Sequence, residues 1–344
     1  MGTSNIKVSV VVTTYNQEAT IARTLDSILM QQCGFPFEIC LSDDCSTDGT
    51  PRICSEYASQ HPGIIRYHRN ETNRGCRDNY FDTLLRCQGE YIADCAGDDY
   101  WTDPHKLSKQ TAVLDSDQGI TLVHTNWEYR DSTSGAISPS DPHGERAPYL
   151  NKVSGPGSLF IPVLQHKAHS IIHLCTAMYR KDVFTRAYAA DPYLFRHNEF
   201  PCEDFQLMVV YAQAGKIAYL PDVTMHYSVG HTSVSSQDNH LKTFDFYIGS
   251  LRLTIYLAEK YDVPPTELAG TYRNFTSFLF SQAYLAHDKT RIDALRSIID
   301  RKKLPLSLKS RILIPTTATH LSWETGIRLK KAVYSLKNLL NRQP

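Results

Sequence analysis

The sequence lacks several features that would assign it to a class at once. Its 344 residues include nine cysteines, but no two of them form a C-x-x-C pair, and we find no internal repeat. No apolar run approaches the ~20 residues that a membrane-spanning helix needs. The chain leads directly into a predicted strand, with no signal-peptide pattern before it. We therefore expect reduced core thiols, no disulfide framework or zinc site, and a cytoplasmic protein.

A net charge is also missing, although the charges are unevenly distributed. The chain has 36 Lys and Arg residues against 36 Asp and Glu residues, yet residues 301–344 contain ten of the bases and one acid, Glu324. Residues 1–300 are therefore acidic, which argues against nucleic-acid binding and fits a metal-dependent catalytic domain. The length is sufficient for one large α/β domain and a smaller appendage.

The N-terminal segment reads as strand, helix, strand. Residues 8–16 are VSVVVTTYN, in which a short β-branched run typical of a buried parallel strand breaks into polar residues. Residues 17–32 have helical spacing, and residues 37–41 form a second apolar run that ends near Asp44. Open α/β sheets bind ligands at the carboxyl ends of their strands. Asp44 is thus a candidate for contact with a ribose or a base, whereas Asp48 better fits a helix cap.

A third strand ends in two adjacent carboxylates. Residues 91–95 (YIADC) read as a strand, and Gly97 allows a sharp turn before Asp98 and Asp99. Carboxylates beside a buried strand cost free energy unless a cation compensates them, and Mg²⁺ or Mn²⁺ prefers such oxygen ligands. The pattern favours a metal site; an exposed Asp-Asp turn after an edge strand is the alternative.

Taken together, these segments resemble the family 2 glycosyltransferases of the GT-A fold. The resemblance covers about the first two-thirds of the chain and continues through further motifs in the expected order, at residues 73–75, 89–92, 106–107, 175–184 and 203–204. It implies an α/β fold with a Rossmann-like mixed sheet flanked by helices, followed here by a C-terminal helical extension. It also implies a nucleotide-sugar donor, a divalent cation (Mn²⁺ or Mg²⁺) and inversion at the anomeric carbon. A UDP-sugar is the expected donor.

The resemblance also implies roles for particular residues. Asp204 matches the base that removes the acceptor hydroxyl proton, and Glu203 would orient the acceptor or that base. Without the resemblance, both acids would be read as residues at a helix start, where a negative charge interacts favourably with the helix dipole. Asp99 and Asp98 would hold the metal, and Arg74 would offset diphosphate charge unless it is a surface arginine. The full set expected to bind the donor is Thr13, Tyr15, Asn16, Asp44, Arg74 and Asp98.

Two positions depart from the family pattern. Ala96 stands where many members have a third acid, which leaves Asp98 and Asp99 as the metal-site candidates, with Asp94 facing elsewhere. Ser228 and Gly230 lie in a segment where the family often has Arg and His. His226 and His231 could substitute by reaching the metal or the diphosphate, although each also fits a solvent-exposed loop histidine.

The pattern of elements divides the chain into two parts. We expect a catalytic domain over residues 1–238, with a nucleotide-sugar-binding half at 1–100 and an acceptor half at 101–238. Residues 131–162 are predicted to form a long loop or flap near the acceptor. A helical region follows at 239–344. The remaining predicted elements are strands at 120–129, 173–180 and 216–220, and helices at 104–115, 181–190, 203–214, 244–261, 266–287, 290–301 and 323–341.

The basic C-terminal segment suggests a partner. In residues 323–341, Trp323 and four aliphatic residues recur at near-helical spacing, and lysines and arginines flank them. Such a helix can lie on an anionic membrane, with the enzyme peripheral on the inner face of the cell membrane and a polyprenyl-diphosphate-linked or other glycan acceptor within reach. The alternative is that the helix packs on the fold or on a second subunit, so a homo-oligomer stays open.

Other function classes make different demands. A metal-dependent sugar nucleotidyltransferase would also use paired aspartates, but we would expect a Gly-rich, Lys- or Arg-bearing turn after the first strand, where this chain has TTYN. A non-catalytic nucleotide-sugar binding module would have no need of Asp204. The leading hypothesis is therefore an inverting hexosyltransferase that acts in surface-polysaccharide biosynthesis.

Overall fold

The structure is a computed structural model that describes residues 6–166, 172–201, 203–230 and 239–313. The chain separates into two compact units, residues 1–231 and 232–344. No helix among the described residues is both long enough and apolar enough to span a bilayer.

The first unit is built on one mixed sheet. The described strands are β1 (Val8–Thr14), β2 (Phe37–Asp43), β3 (Ile65–Arg69), β4 (Tyr91–Asp94), β5 (Tyr100–Trp101), β6 (Ile120–Asp131), β7 (Ile137–Pro139), β8 (Met178–Arg180) and β9 (Lys216–Val229). Their order is β3-β2-β1-β4-β8-β6-β9-β5, with β7 paired to β6. The first four strands of that order run parallel to one another, β8 is antiparallel to β4 and β6, and β6 and β9 are parallel.

Helices flank this sheet. In the first unit they are α1 (Ile21–Leu29), α2 (Thr50–Gln60), α3 (Cys76–Arg86), α4 (Lys106–Ser116), α5 (Phe160–Leu164), α6 (Lys181–Ala190), α7 (Pro192–Arg196) and α8 (Asp204–Ala214). Short 3₁₀ turns lie at Ala147–Tyr149 and Leu174–Thr176. The predicted mixed α/β sheet with flanking helices is confirmed.

Strand β1, which lies between β2 and β4 in the parallel half of the sheet, is buried on both faces. Val8, Val10 and Val12 are all fully buried on one face of β1, and Ser9 on the other face is buried as well. Strands covered on both sides need apolar, β-branched residues, as this sequence supplies. Because β1, β2 and β4 are parallel, their carboxyl ends meet at one edge of the sheet, where the polar residues of the predicted donor site follow.

Several element boundaries differ from the sequence predictions. The first helix begins at Ile21 and not at residue 17, because residues 17–20 form the turn that leaves the sheet edge. The strand predicted at 173–180 is reduced to Met178–Arg180, with a 3₁₀ turn before it. Helix α8 is buried on nearly all sides rather than amphipathic, since residues Phe205 to Ala212 are all buried.

The most consequential difference concerns β9. The short strand predicted to end before Pro221 continues to Val229, since register shifts opposite Thr125 and Asn126 accommodate the proline. His226 therefore lies within a strand and not in a loop. Residues 131–162 contain β7 and a 3₁₀ turn, so they are only partly irregular.

The second unit is helical as far as it is described. It contains α9 (His240–Lys260), α10 (Ala269–Leu285), α11 (Lys289–Lys302) and α12 (Leu308–Leu313). Asn239 caps α9 and Asp288 caps α11 through their side-chain oxygens. The helix predicted at 323–341, like His231, lies outside the described residues, so the membrane prediction has no structural counterpart here.

Candidate active site

The turn after β1 is tied to the turn after β2. Asn16 adopts a left-handed backbone conformation (φ 52°), and its Oδ1 accepts a 2.8 Å hydrogen bond from the backbone N–H of Thr47. Its own N–H donates to the Ser46 hydroxyl at 2.9 Å. Tyr15 precedes it with 47% of its surface exposed. The turn thus presents an uncovered aromatic ring at the sheet edge, while Asn16 serves to hold the turn in shape.

Asp44 organises the start of α3. Its Oδ1 accepts hydrogen bonds from the Asn70 side chain (2.8 Å) and the backbone N–H of Arg74 (2.9 Å). Its Oδ2 accepts from the N–H of Gly75 at 2.9 Å, and Gly75 has a φ of 82° that favours glycine. These three bonds use most of the acceptor capacity of the carboxylate. Any contact with a ribose or base must use what remains.

Arg74 points to a neighbouring acid. Its guanidinium forms an ion pair with Asp82 at 2.5 Å, and the arginine side chain is 49% exposed. Thr13 contributes its backbone carbonyl, which accepts a 3.1 Å hydrogen bond from Gly97 N–H. Neither side chain forms a bond to the Asp98-Asp99 turn in the structure, so their assignment to the donor stays a prediction.

The turn at residues 96–99 is fixed by close packing. A Cβ at Gly97 would overlap the Gln17 side chain and lie 2.9 Å from Thr14 Cβ, so glycine is required for steric reasons. The Thr24 hydroxyl donates to the Asp99 carbonyl at 2.6 Å. The Ser228 hydroxyl donates to the Asp98 carbonyl at 2.6 Å, and the Ser228 N–H donates to Asp99 Oδ1 at 2.9 Å. Strand β9 therefore holds both aspartates from the opposite side.

The electrostatics of this turn favour a cation. Asp99 is fully buried, and its Oδ2 has no hydrogen-bond partner among the described residues. Burial, and then the charge of Asp98, raise the pKa of Asp99 well above its usual range. Asp98 is the more exposed of the two. A divalent cation would relieve the repulsion and satisfy the orphaned oxygen, so the residues fit a metal that shares its remaining ligands with phosphates or water.

Other acids do not complete a metal site made by the protein alone. Within the described ranges, no group of three or more His, Cys, Asp or Glu side chains is arranged to hold a metal ion. Asp94 faces away from the turn, as predicted: its Oδ1 accepts a 2.6 Å hydrogen bond from the Tyr80 hydroxyl, which also lies 2.6 Å from the Tyr179 hydroxyl. Burial raises the pKa of Asp94 to about 7.

Glu203 and Asp204 form a coupled pair of acids at the start of α8. Burial raises the pKa of both carboxyl groups, and the negative charge of Asp204 raises that of Glu203 further. Oε2 of Glu203 is buried without a partner among the described residues. Because two adjacent buried acids do not both ionise readily, the pair can retain one proton near neutral pH and offer one carboxylate as a proton acceptor.

Tyr227 connects the two acid pairs electrostatically. After burial, the charges of Asp99, Asp98 and Asp204 all raise the pKa of its hydroxyl. The structure thus brings together the Asp98-Asp99 turn and the Asp204 end of α8, which are about a hundred residues apart in sequence.

One group near the turn, Arg23, was not predicted from the sequence, and one predicted candidate, His226, lies elsewhere. Arg23 in α1 donates to the Asp98 carbonyl (3.2 Å) and the Ser228 hydroxyl (3.4 Å), and the guanidinium lies 4.2 Å from the Tyr100 ring centre. His226 does not reach the turn: its Nδ1 is 2.7 Å from the Tyr100 hydroxyl and its Nε2 is 3.0 Å from Glu128. The sequence signals for this arrangement are weak. They are an arginine, Arg23, at the third position of α1, and an aromatic residue, Tyr100, directly after the carboxylate turn.

A mixed sheet whose parallel half ends in a carboxylate turn, opposite an acid pair at a helix start, defines a GT-A-type α/β protein. The sequence profile described as Glycosyl transferase family 2 matches residues 9–186, and the chain belongs to this family. The fold is the GT-A fold, as in the crystal structure of Staphylococcus aureus TarS residues 1–349 in complex with UDP. That structure matches with a TM-score of 0.56 and 21% identity, over 81% of this chain and 74% of that one.

Sequence relatives agree with this membership. An uncharacterized protein of Mycobacterium tuberculosis is 49% identical over 114 residues, which are 33% of each chain. The putative glycosyltransferase EpsE of Bacillus subtilis is 38% identical over 122 residues, 36% of this chain and 43% of that protein. TarS, a poly(ribitol-phosphate) beta-N-acetylglucosaminyltransferase, is 26% identical over 248 residues, 70% of this chain and 39% of TarS. The matches therefore span about a third to under half of these relatives.

Proposed function

We propose that this protein is an inverting glycosyltransferase that moves a sugar from a nucleoside-diphosphate donor, in the first instance a UDP-sugar, to a hydroxyl of a glycan or lipid-linked oligosaccharide. The carrying observation is that this family member has two sets of acids: the Asp98-Asp99 turn, with a buried Asp99 oxygen that no described residue satisfies, and the Glu203-Asp204 pair at the start of α8. One site binds the leaving group and the other accepts a proton. A non-catalytic binding module would have no use for the second.

The donor end is assigned to the carboxyl edge of β1, β2 and β4. The exposed ring of Tyr15 is available to stack on a base, beside the turn that Asn16 holds. Thr13, Asp44 and Arg74 complete this side as predicted contacts. TarS supports the choice of uridine nucleotides, because it is a beta-N-acetylglucosaminyltransferase that has been crystallised with UDP and with UDP-GlcNAc.

Asp98 and Asp99 are proposed as the metal-binding residues. Asp98, the more exposed, offers its carboxylate to the site, and Asp99 offers the buried oxygen that no described residue satisfies. When bound, Mn²⁺ or Mg²⁺ would offset the negative charge that develops on the departing diphosphate. Ser228 fixes Asp99 Oδ1 through its N–H and the Asp98 backbone carbonyl through its hydroxyl, so the Asp99 carboxylate and the backbone of the turn are oriented in advance.

The transfer itself is a single displacement. The acceptor oxygen forms a bond to the anomeric carbon as the bond from that carbon to the diphosphate oxygen breaks, and the hydroxyl proton passes to Asp204. Glu203, the neighbouring acid at the start of α8, is proposed to orient the acceptor or the base. Because attack comes from the face opposite the leaving group, the anomeric configuration inverts.

We propose the same division of labour that the sequence suggested. Residues 1–100 bind the nucleotide-sugar, residues 101–238 meet the acceptor, and residues 239–344 form a helical region with a basic tail. A polyprenyl-linked acceptor at an anionic membrane surface, in surface-polysaccharide biosynthesis, is the setting in which such a tail is useful. The names of EpsE and TarS, which describe bacterial glycosyltransferases, support an acceptor of the glycan class.

The test is a hydrolysis and transfer screen with the full chain. UDP-, GDP- and dTDP-sugars are each incubated with Mn²⁺, with Mg²⁺ or with EDTA, and the released nucleoside diphosphate is measured. We expect metal-dependent release from one nucleotide class, with UDP-sugars first. Release of diphosphate from a nucleoside triphosphate and a sugar phosphate would instead identify a nucleotidyltransferase, and donor binding with no turnover would identify a binding module.

A further inference from the structure

Arg23 has an unusual environment for a surface-helix arginine. It lies in the first turn of α1, and its NH2 group reaches the Asp98 carbonyl and the Ser228 hydroxyl. Its Nε is buried and has no hydrogen-bond partner among the described residues. The cation is therefore held against the carboxylate turn by neutral acceptors, and neither of these two bonds uses its NH1 group.

Most arginines of the first unit are neutralised by a carboxylate instead. Ion pairs of this kind involve Arg52, Arg66, Arg69, Arg74, Arg77, Arg146, Arg186 and Arg196. No described carboxylate forms an ion pair with Arg23, Arg86, Arg130 or Arg180. Arg86 bonds to the Ser42 hydroxyl and Arg180 to backbone carbonyls, which leaves Arg23 and Arg130 as the candidates beside the Asp98 turn. Guanidiniums that form no ion pair are suited to bind an incoming anion.

Arg130 stands on the same side of the sheet as Ser228. The two residues are partners in the parallel register of β6 and β9, and directly opposed residues project to the same face. Ser228 directs its hydroxyl to the Asp98 turn, and Arg130 lies beside it on the same face, with one guanidinium nitrogen 3.7 Å from the position that a Cβ on Gly135 would take. In agreement, the charge of Arg130 lowers the pKa of Arg23, after the larger effect of burial.

A chain of contacts through Tyr100, His226 and Glu128 supports the guanidinium of Arg23. Its guanidinium stacks on Tyr100, whose hydroxyl bonds to His226 Nδ1, and His226 Nε2 bonds to Glu128. Both nitrogens of His226 are thus used within the fold. The histidine acts on the site as a support for the ring beneath Arg23 and does not act as a ligand.

We infer that Arg23, with Arg130, supplies the cationic contact for the donor diphosphate, in the chain that has Ser228 where its family often has arginine. The inference rests on the proposed function, and it adds the residues that recognise the phosphates as distinct from the nucleoside. Arg23 already reaches this point from α1, through its 3.4 Å hydrogen bond to the Ser228 hydroxyl. Arg74, paired with Asp82, is assigned a lesser part.

The experiment compares a nucleoside with its diphosphate. Dissociation constants of UDP and uridine are measured by calorimetry for the full chain, with and without Mn²⁺. The variants are Arg23→Gln, Arg23→Lys and Arg130→Gln, and Arg52→Gln is the matched control because Arg52 pairs only with Glu56 on the exposed face of α2. Thermal unfolding verifies that each variant is folded.

We expect Arg23→Gln and Arg130→Gln each to weaken UDP binding about tenfold or more, with uridine changed less than about twofold, because charge-assisted bonds to phosphate are lost. Arg23→Lys should restore part of the loss, and Arg52→Gln should match the wild type. If UDP and uridine weaken together in Arg23→Gln, the arginine only braces the turn and the inference is wrong. If neither Gln variant affects UDP, it is also wrong.

The two proposals fail in different ways. Wild-type protein that binds UDP and turns over a UDP-sugar, with variants that bind UDP normally, refutes the role of Arg23 and Arg130 alone. Wild-type protein that binds none of UDP, GDP or dTDP refutes the glycosyltransferase proposal. Preference for GDP or dTDP keeps this inference intact, and the nucleoside comparison is then made with guanosine or thymidine.

Discussion

The backbone N–H of Ser228 donates a 2.9 Å hydrogen bond to Oδ1 of Asp99, across 129 residues of sequence. The bond joins the end of β9 to the turn after β4 and fixes one oxygen of the buried carboxylate. Its other oxygen is left without a described partner. A half-satisfied buried carboxylate is costly, and either a proton or the cation proposed above would offset that cost.

The first prediction concerns the metal. Asp98→Asn should weaken Mn²⁺ binding to the UDP complex at least about tenfold and abolish most metal-dependent turnover, since a carboxylate ligand is lost. Asp99→Ala should have the same effect and also lower stability, because Ser228 N–H loses its acceptor. The control is Asp222→Asn, an exposed acid that pairs with Lys109. Full activity in EDTA would contradict the prediction.

The second prediction concerns the base. Asp204→Asn should lower kcat by several orders of magnitude and leave the affinity for UDP nearly unchanged, because the loss falls on the transition state. Asp182→Asn is the matched control: Asp182 is also a first-turn helix acid, but it is exposed and pairs with Arg186. Proton NMR of the product should show inversion. Retention, or equal losses in both variants, would refute the assignment.

The third prediction uses the raised pKa of Asp94. Burial raises this pKa to about 7 in the folded state, from about 3.9 in an unfolded chain. The folded protein therefore holds the proton to higher pH, and the stability that this group contributes is lost as the pH rises from about 4 to about 7.

Urea denaturation of the wild type and Asp94→Asn is measured at pH 5 and at pH 8. Because the asparagine cannot ionise, the variant should not lose the stability that the wild type loses over this range. Its unfolding free energy relative to the wild type should therefore rise by on the order of 1–3 kcal/mol from pH 5 to pH 8. Asp26→Asn is the control, because exposed Asp26 accepts the same kind of bond from Tyr57. A difference between Asp94→Asn and wild type that is independent of pH would show that Asp94 is ionised throughout this range.

The fourth prediction concerns residues 314–344, which lie outside the described part of the chain. Full-length protein should co-sediment with anionic vesicles at low salt, and added salt or removal of residues 314–344 should weaken binding, at about 1 kcal/mol per basic residue. Neutral vesicles serve as the control surface. If the intact chain ignores anionic vesicles at low salt, the tail has another partner, such as a second subunit.

Local patterns predicted much of the parallel half of the sheet. The β-branched run that becomes β1 and the Gly-Asp-Asp turn after β4 are readable because buried parallel strands require continuous apolar residues and sharp turns require glycine. Predictions were less accurate in the second half. Register shifts carry β9 past Pro221, and the segment predicted as a strand before Met178 is a 3₁₀ turn.

The sequence by itself determined the α/β class, the family and the acids of the candidate site, since these follow from short runs whose chemistry is local. Tertiary structure alone decided which groups surround those acids. The approach of Arg23 to Asp98, the use of both His226 nitrogens by Tyr100 and Glu128, and the engagement of Asp44 with α3 each join residues far apart in sequence. Strand order and register create such neighbours, and no local periodicity encodes them.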